Sequence, residues 1–135
     1  MRVRRARQSL RKLLVIEDDA RLLASYCDLL SPYGFHVLTA PDGESAITVV
    51  QEHPDIQLVI LDLMMPRMDG REWLRWYRAL QRESPVILVT GYASTVDPEE
   101  MGLAAVLQKP FHVAELLDLV GLFCGLGTPA ASIMI

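Results

Sequence analysis

The sequence predicts an α/β fold, a five-stranded parallel sheet flanked by helices, and three observations predict it. Short apolar runs recur five times, four of them apolar at every position and one, Phe35 to Leu38, interrupted by His36; strands without in-out alternation are buried on both faces, as in a parallel sheet covered by helices. Longer stretches with helical periodicity separate these runs. Turn and capping residues fall at the junctions between the two kinds of segment.

In chain order, the first run is Leu13 to Ile16. A helical stripe of Leu22, Leu23, Tyr26, Leu29 and Leu30 follows, closed by Ser31, Pro32 and Gly34. Phe35 to Leu38 is the second run, after which Pro41, Asp42 and Gly43 open a helix carrying Ala46, Ile47, Val49 and Val50. The third run, Leu58 to Leu61, leads to a stripe of Trp73, Leu74, Trp76, Tyr77 and Leu80. Ser84 and Pro85 precede the fourth run, Val86 to Val89; the fifth, Ala104 to Leu107, is weaker. The last helix carries Val113, Leu116, Leu117, Val120 and Cys124. The fourth unit is defective, because between Thr90 and Leu107 only Asp97, Pro98, Glu99, Glu100 and Met101 can be helical. Asp97 is the expected N-cap and Pro98 the first helical residue. A turn or two therefore stands where a covering helix is expected.

A chain of 135 residues has room for one domain with a real core. Its 51% hydrophobic and 22% charged residues exclude a disordered chain. The net charge of −4 is unevenly spread, with Arg2, Arg4, Arg5, Arg7, Arg11 and Lys12 crowding the start. Without aromatic interleaving or a helix-turn-helix pattern, such a run reads as a solvated arm, and nucleic acid is not an expected partner of this chain. Residues 1–11 are thus expected to be a basic arm or linker, 12–125 the folded domain and 126–135 a tail too short to be an output module. Cys27 and Cys124 have no metal-ligand spacing and read as small core residues in a reduced, cytoplasmic setting. No signal peptide is visible, and the longest apolar region, Val113 to Leu126, is broken by Glu115 and Asp118, so no membrane insertion is expected.

In an open parallel sheet, ligands bind outside the carboxyl ends of the strands. The first run stops at Glu17, Asp18 and Asp19, the third at Asp62, the fourth at Thr90 and the fifth at Lys109 and Pro110. Carboxylates gathered on one rim repel unless a cation sits among them. Mg²⁺ suits the set because it is hard, takes oxygen ligands and keeps waters that a phosphate can replace. Asp19 and Asp42 are explained as helix caps, but capping does not explain apolar strands that end in acids on two separate segments. Asp62 then reads as a carboxylate nucleophile that captures phosphorus as an aspartyl phosphate. Lys109 would add a second positive charge and Thr90 a hydrogen bond. A lone Lys or Thr at a strand end is ordinarily a solvated surface residue; convergence with the acids gives these two their weight.

The pieces L-L-V-I-E-D-D (Leu13 to Asp19), V-I-L-D-L-M-M-P-R-M-D-G (Val59 to Gly70), V-I-L-V-T-G-Y (Val86 to Tyr92) and Q-K-P-F (Gln108 to Phe111) resemble the receiver domain of two-component response regulators, of the chemotaxis-regulator kind. The resemblance runs from about Lys12 to Gly125 and implies a flavodoxin-like (βα)5 fold. It implies Asp62 as phosphoacceptor, Thr90 as switch hydroxyl, Lys109 as the invariant lysine, and Pro110 after a cis bond. It also implies Mg²⁺ on Glu17, Asp18, Asp62 and the backbone carbonyl of Met64. The interval back from Asp62 selects Glu17 and Asp18 as the acidic pair, with Asp18 and Asp19 the competing pairing. Gly91 matches a small-residue position, while Pro66 and Gly70 match the turn into the third helix, where Gly70 suits a conformation that a side chain disfavours.

By the same resemblance, the phosphodonor is a histidine kinase or a histidine phosphotransfer protein. No small-molecule substrate beyond phosphodonors is implied, homodimer formation is open, and the domain signals rather than turning over a substrate. There are two departures from the family: Val106 stands where an aromatic residue usually precedes the lysine by three, and the fourth helix is short. Tyr92 is near enough to substitute, although a surface tyrosine is the plainer account. One rival reading, a phosphatase like the haloacid dehalogenases, wants an acid two residues after the nucleophile, where Met64 stands. Another is a pseudo-receiver, a protein-interaction module that does not turn over phosphate. His36, His53 and His112 lie in separate segments without ligand spacing.

Overall fold

A computed structural model describes residues 11–65 and 67–127. The elements are β1 (Arg11–Ile16), α1 (Ala20–Leu30), β2 (Phe35–Ala40), α2 (Gly43–Glu52), β3 (Ile56–Asp62), α3 (Gly70–Ala79), β4 (Val86–Thr90), α4 (Pro98–Met101), β5 (Ala105–Gln108) and α5 (Val113–Cys124). The five strands form one parallel sheet in the order β2-β1-β3-β4-β5. This is the expected five-stranded α/β architecture.

Successive strand residues point to opposite faces, so each all-apolar strand feeds two cores. Leu14, Ile16, Val59, Leu61, Val86 and Leu88 meet Ala46 and Val50 of α2 and Trp73 and Tyr77 of α3. Leu13, Val15, Leu58, Ile60, Ile87 and Val89 meet Tyr26 and Leu30 of α1 and Leu116 and Val120 of α5. Each fully buried Leu, Ile or Val contributes about 1.5–3 kcal/mol relative to exposure. The sheet is therefore held from both sides, and its carboxyl-end rim is a rigid base for a site.

Four aspartates begin helices. Asp19 accepts the N–H of Arg21 and Leu22, Asp42 that of Ser45, Asp69 that of Glu72 and Asp97 that of Glu99. Each such cap is worth about 1 kcal/mol. α4 is only four residues long, with Pro98 at its first position, as expected. The space beside it is filled by Val96, Met101, Leu103 and Val106, which pack against the α2–α3 core.

Several expectations need correction. Arg11, grouped with the basic arm, is the first residue of β1. Its guanidinium donates to the carbonyls of Cys124 (2.7 Å), Gly125 (2.6 Å) and Tyr33 (3.2 Å) and lies 4.3 Å over the Phe35 ring. A charge run in sequence says nothing of such partners, because an arginine can bury its stem while its head finds carbonyls. Arg2, Arg4, Arg5 and Arg7 lie outside the described residues, as do 128–135 of the tail; Leu126 packs against the α1–α5 core. Leu80 caps α3 and is exposed, whereas Trp73, Leu74 and Tyr77 are buried. Cys27 and Cys124 are half-buried rather than core.

Gly70 is needed for a different reason from the one expected. A Cβ there would stand 2.8 Å from the Asp62 carbonyl oxygen and 3.0 Å from the Leu63 Cα, so the start of α3 can approach the end of β3 only without a side chain. The left-handed residue of this turn is Arg67, with φ 71°. Among the described residues no helix is long and apolar enough to cross a membrane.

Candidate functional site

Four strands end on the same rim. Glu17 follows β1, Asp62 closes β3, Thr90 closes β4 and Lys109 follows β5. Glu17, Asp18 and Asp62 each bring a carboxylate oxygen to within 4.8 Å of the others. Glu17 and Asp62 are buried at 3% and 5% exposure, while Asp18 is open to solvent. Asp19, the competing member of the acidic pair, is used as the α1 cap.

Lys109 reaches into this cluster, its Nζ 3.1 Å from Glu17 Oε2 and 3.6 Å from Asp62 Oδ2. One ammonium faces three carboxylates, so the cluster keeps a negative excess. Burial, and next the Asp62 charge, push the Glu17 carboxyl up to about 7. The Lys109 hydrogen bond and charge, and the N–H of Asp19, pull the other way. A site that drives a carboxylate toward protonation at neutral pH is one that a hard divalent cation fits. The donor set is all oxygen and one side is open to water, as Mg²⁺ requires.

Backbone groups aim the Asp62 carboxylate. Met64 donates its N–H to Asp62 Oδ1 at 3.3 Å, leaving Oδ2 on the Lys109 side. The Met64 side chain is 63% exposed, so any contribution it makes to the site comes from its backbone. Glu17 Oε1 accepts the N–H of Asp19 at 3.3 Å.

Thr90 is buried on the strand beside Asp62, whose register partner is Val89. Its Oγ1 accepts the Tyr92 N–H at 3.1 Å, so its own proton remains free to donate. The structure thus gathers Glu17, Asp18 and Asp62 within 4.8 Å, sets Lys109 against Glu17 and Asp62, and places Thr90 on the neighbouring strand end, engaged with its own loop. Gly91 faces open space, and Lys109–Pro110 is a cis peptide. The Tyr92 side chain is 62% exposed, a surface tyrosine.

Three features escape the sequence reading. Tyr26 lies beside the rim with its hydroxyl buried and unpartnered among the described residues. Burial first, then the charges of Glu17 and Asp62, raise its phenol. Tyr26 also stacks on Phe111 and lines a groove of about 840 Å³ between α1 and α5 that Lys109 and Pro110 share. Gln108 is the third, its carboxamide bonded to the loop after Thr90. Its partners lie on another segment, the loop after the strand beside it, so nothing in the sequence marks it.

The histidines stay apart from the cluster. His36 and His53 meet edge to face, with Lys12 Nζ 3.2 Å from His53 Nδ1 and 3.0 Å from Asp55. His112 caps α5, its N–H donating to Glu115.

Known proteins carry the same architecture. A family model described as the response regulator receiver domain matches residues 13–121. The transcriptional regulatory protein CpxR of Klebsiella pneumoniae is 37% identical over 109 residues, covering 78% of this chain and 46% of that protein. The chain thus spans about half the length of such relatives. The response regulator receiver protein CpdR of Brucella abortus is 31% identical, covering 81% of this chain and 92% of that one. A chain of the CheX-CheY-BeF3-Mg complex from Borrelia burgdorferi is 28% identical with a TM-score of 0.76, over 83% of this chain and 87% of that one. A doubly covered parallel sheet with an acidic rim and a lysine beside it, matched over most of its length, places this chain in the response regulator receiver domain family.

Proposed function

We propose that Asp62 of this receiver domain accepts a phosphoryl group from a phosphohistidine presented by a histidine kinase or a histidine phosphotransfer protein. A new O–P bond forms at a carboxylate oxygen of Asp62 as the P–N bond of the donor breaks, and the departing imidazole leaves with its electron pair and takes a proton. The observation that carries this reading is the meeting of the carboxylates of Glu17, Asp18 and Asp62 within 4.8 Å, with the Lys109 ammonium 3.6 Å from Asp62.

Asp18, Asp62 and the Met64 carbonyl are the residues that would hold Mg²⁺, with Glu17 assisting through a water, and the bound ion would offset charge on the phosphoryl oxygens. Lys109 supplies a second fixed positive charge beside the nucleophile. Thr90 donates its free proton to the product, which favours one of two conformations of its loop to the extent that the phosphoryl group binds them differently. The pseudo-receiver alternative gains nothing, because acids, lysine and hydroxyl all stand on one rim.

The test is incubation with acetyl phosphate and Mg²⁺, followed by intact mass. A base-labile phosphoryl adduct on the wild type, absent from Asp62→Asn, is expected. No adduct on the wild type, or an undiminished one on the variant, defeats the reading.

A further inference from the structure

Gln108 is the last residue of β5 and stands opposite Thr90 in the β4–β5 register. Its Oε1 accepts the Ala93 N–H at 3.0 Å, and its Nε2 donates to the carbonyls of Gly91 and Lys109, each at 2.8 Å. The Lys109 N–H donates to the Thr90 carbonyl at 2.8 Å. The loop that follows Thr90 is therefore tied to the end of β5 at Thr90, Gly91 and Ala93, and one side chain makes two of the three ties.

An amide is the side chain that can do this, since it offers an acceptor to one backbone N–H and donors to two carbonyls at once. Val106, on the same strand, has no polar group and packs into the α2–α3 core. Gln108 itself is exposed and none of its three bonds goes to a clustered carboxylate, so they do not serve the core or the cation site.

We propose that Gln108 is a positioning residue for phosphoryl capture: its carboxamide holds the Thr90–Ala93 loop against β5 and thereby sets where the Thr90 hydroxyl stands relative to Asp62. A donor assists transfer only when it is already placed where charge develops, so loosening the loop slows capture without touching the nucleophile. The inference rests on Asp62 being the phosphoacceptor.

The test uses Q108L and Q108E, each alone and combined with Thr90→Ala. Rate constants for adduct formation with acetyl phosphate and Mg²⁺ are followed by intact mass, and Mg²⁺ affinity is titrated separately. Q108L keeps a similar size and loses all three bonds. Q108E keeps the acceptor for Ala93 but sets a carboxylate against two carbonyls. Both are expected to slow adduct formation about tenfold at unchanged Mg²⁺ affinity, and to add less than about twofold once Thr90 is alanine. A wild-type rate in both variants overturns the proposal. So does a loss that persists in full without Thr90, or one that follows Mg²⁺ affinity. Failure of the wild type to form any adduct instead removes the phosphoacceptor reading, and this inference with it.

Discussion

Glu17 is the residue on which metal-free stability and the proposed metal binding pull in opposite directions. Its carboxyl holds a proton more tightly folded than unfolded, so its contribution to metal-free stability is fully present below about 4.5. That contribution is lost as the pH rises through about 7. Urea midpoints of the metal-free protein are expected to fall over that window, and Mg²⁺ is expected to restore them at its upper end. Glu17→Gln removes the repelling charge. At pH 8 it is expected to stabilise the metal-free protein by about 1–3 kcal/mol while weakening Mg²⁺ binding, both read from urea melts with and without the ion. A variant that lowers metal-free stability and leaves Mg²⁺ affinity alone would show that Glu17 serves the Lys109 ion pair instead.

At the scale of elements, the approach of α3 to β3 is the contact that shapes the site from below. Gly70→Ala would place a methyl group 2.8 Å from the Asp62 carbonyl oxygen, a backbone atom that cannot swing aside. A stability loss of about 1–3 kcal/mol is expected in urea melts. Slower adduct formation is expected with it, since the displaced backbone belongs to the proposed phosphoacceptor. Arg11→Ala, which frees two carbonyls at the end of α5 and one in the turn before β2, is expected to cost about 1–3 kcal/mol and leave phosphoryl capture unchanged.

The strands were legible because residues such as Leu58 to Leu61 are apolar without alternation, a pattern that only double burial explains. The acids and the lysine were legible because strand ends in such a sheet share one rim. Arg11 and Gln108 were not, because their partners lie on other segments: the carbonyls of Cys124 and Gly125 for one, the loop after Thr90 for the other. Periodicity records which face a residue takes, not which polar groups tertiary folding brings to it. Gly70 was marked as special by its place in the turn, but the cause, a close approach to β3, is visible only in three dimensions.

For the whole molecule, the central claim is that a rigid sheet rim gathers charge so that one carboxylate captures phosphorus with a cation's help. Glu17 and Asp18 directly follow β1 and Asp62 closes β3, and those two strands pair along most of their length, so the sheet sets where the acids meet. The most direct measurement locates the phosphoryl group chemically. After acetyl phosphate treatment, borohydride reduction converts an acyl phosphate to the alcohol, and peptide mass mapping shows which residue has changed. The expected result is reduction at Asp62 alone, abolished when Mg²⁺ is chelated beforehand. Reduction at Glu17 or Asp18, or at Asp62 to the same extent without Mg²⁺, would contradict it.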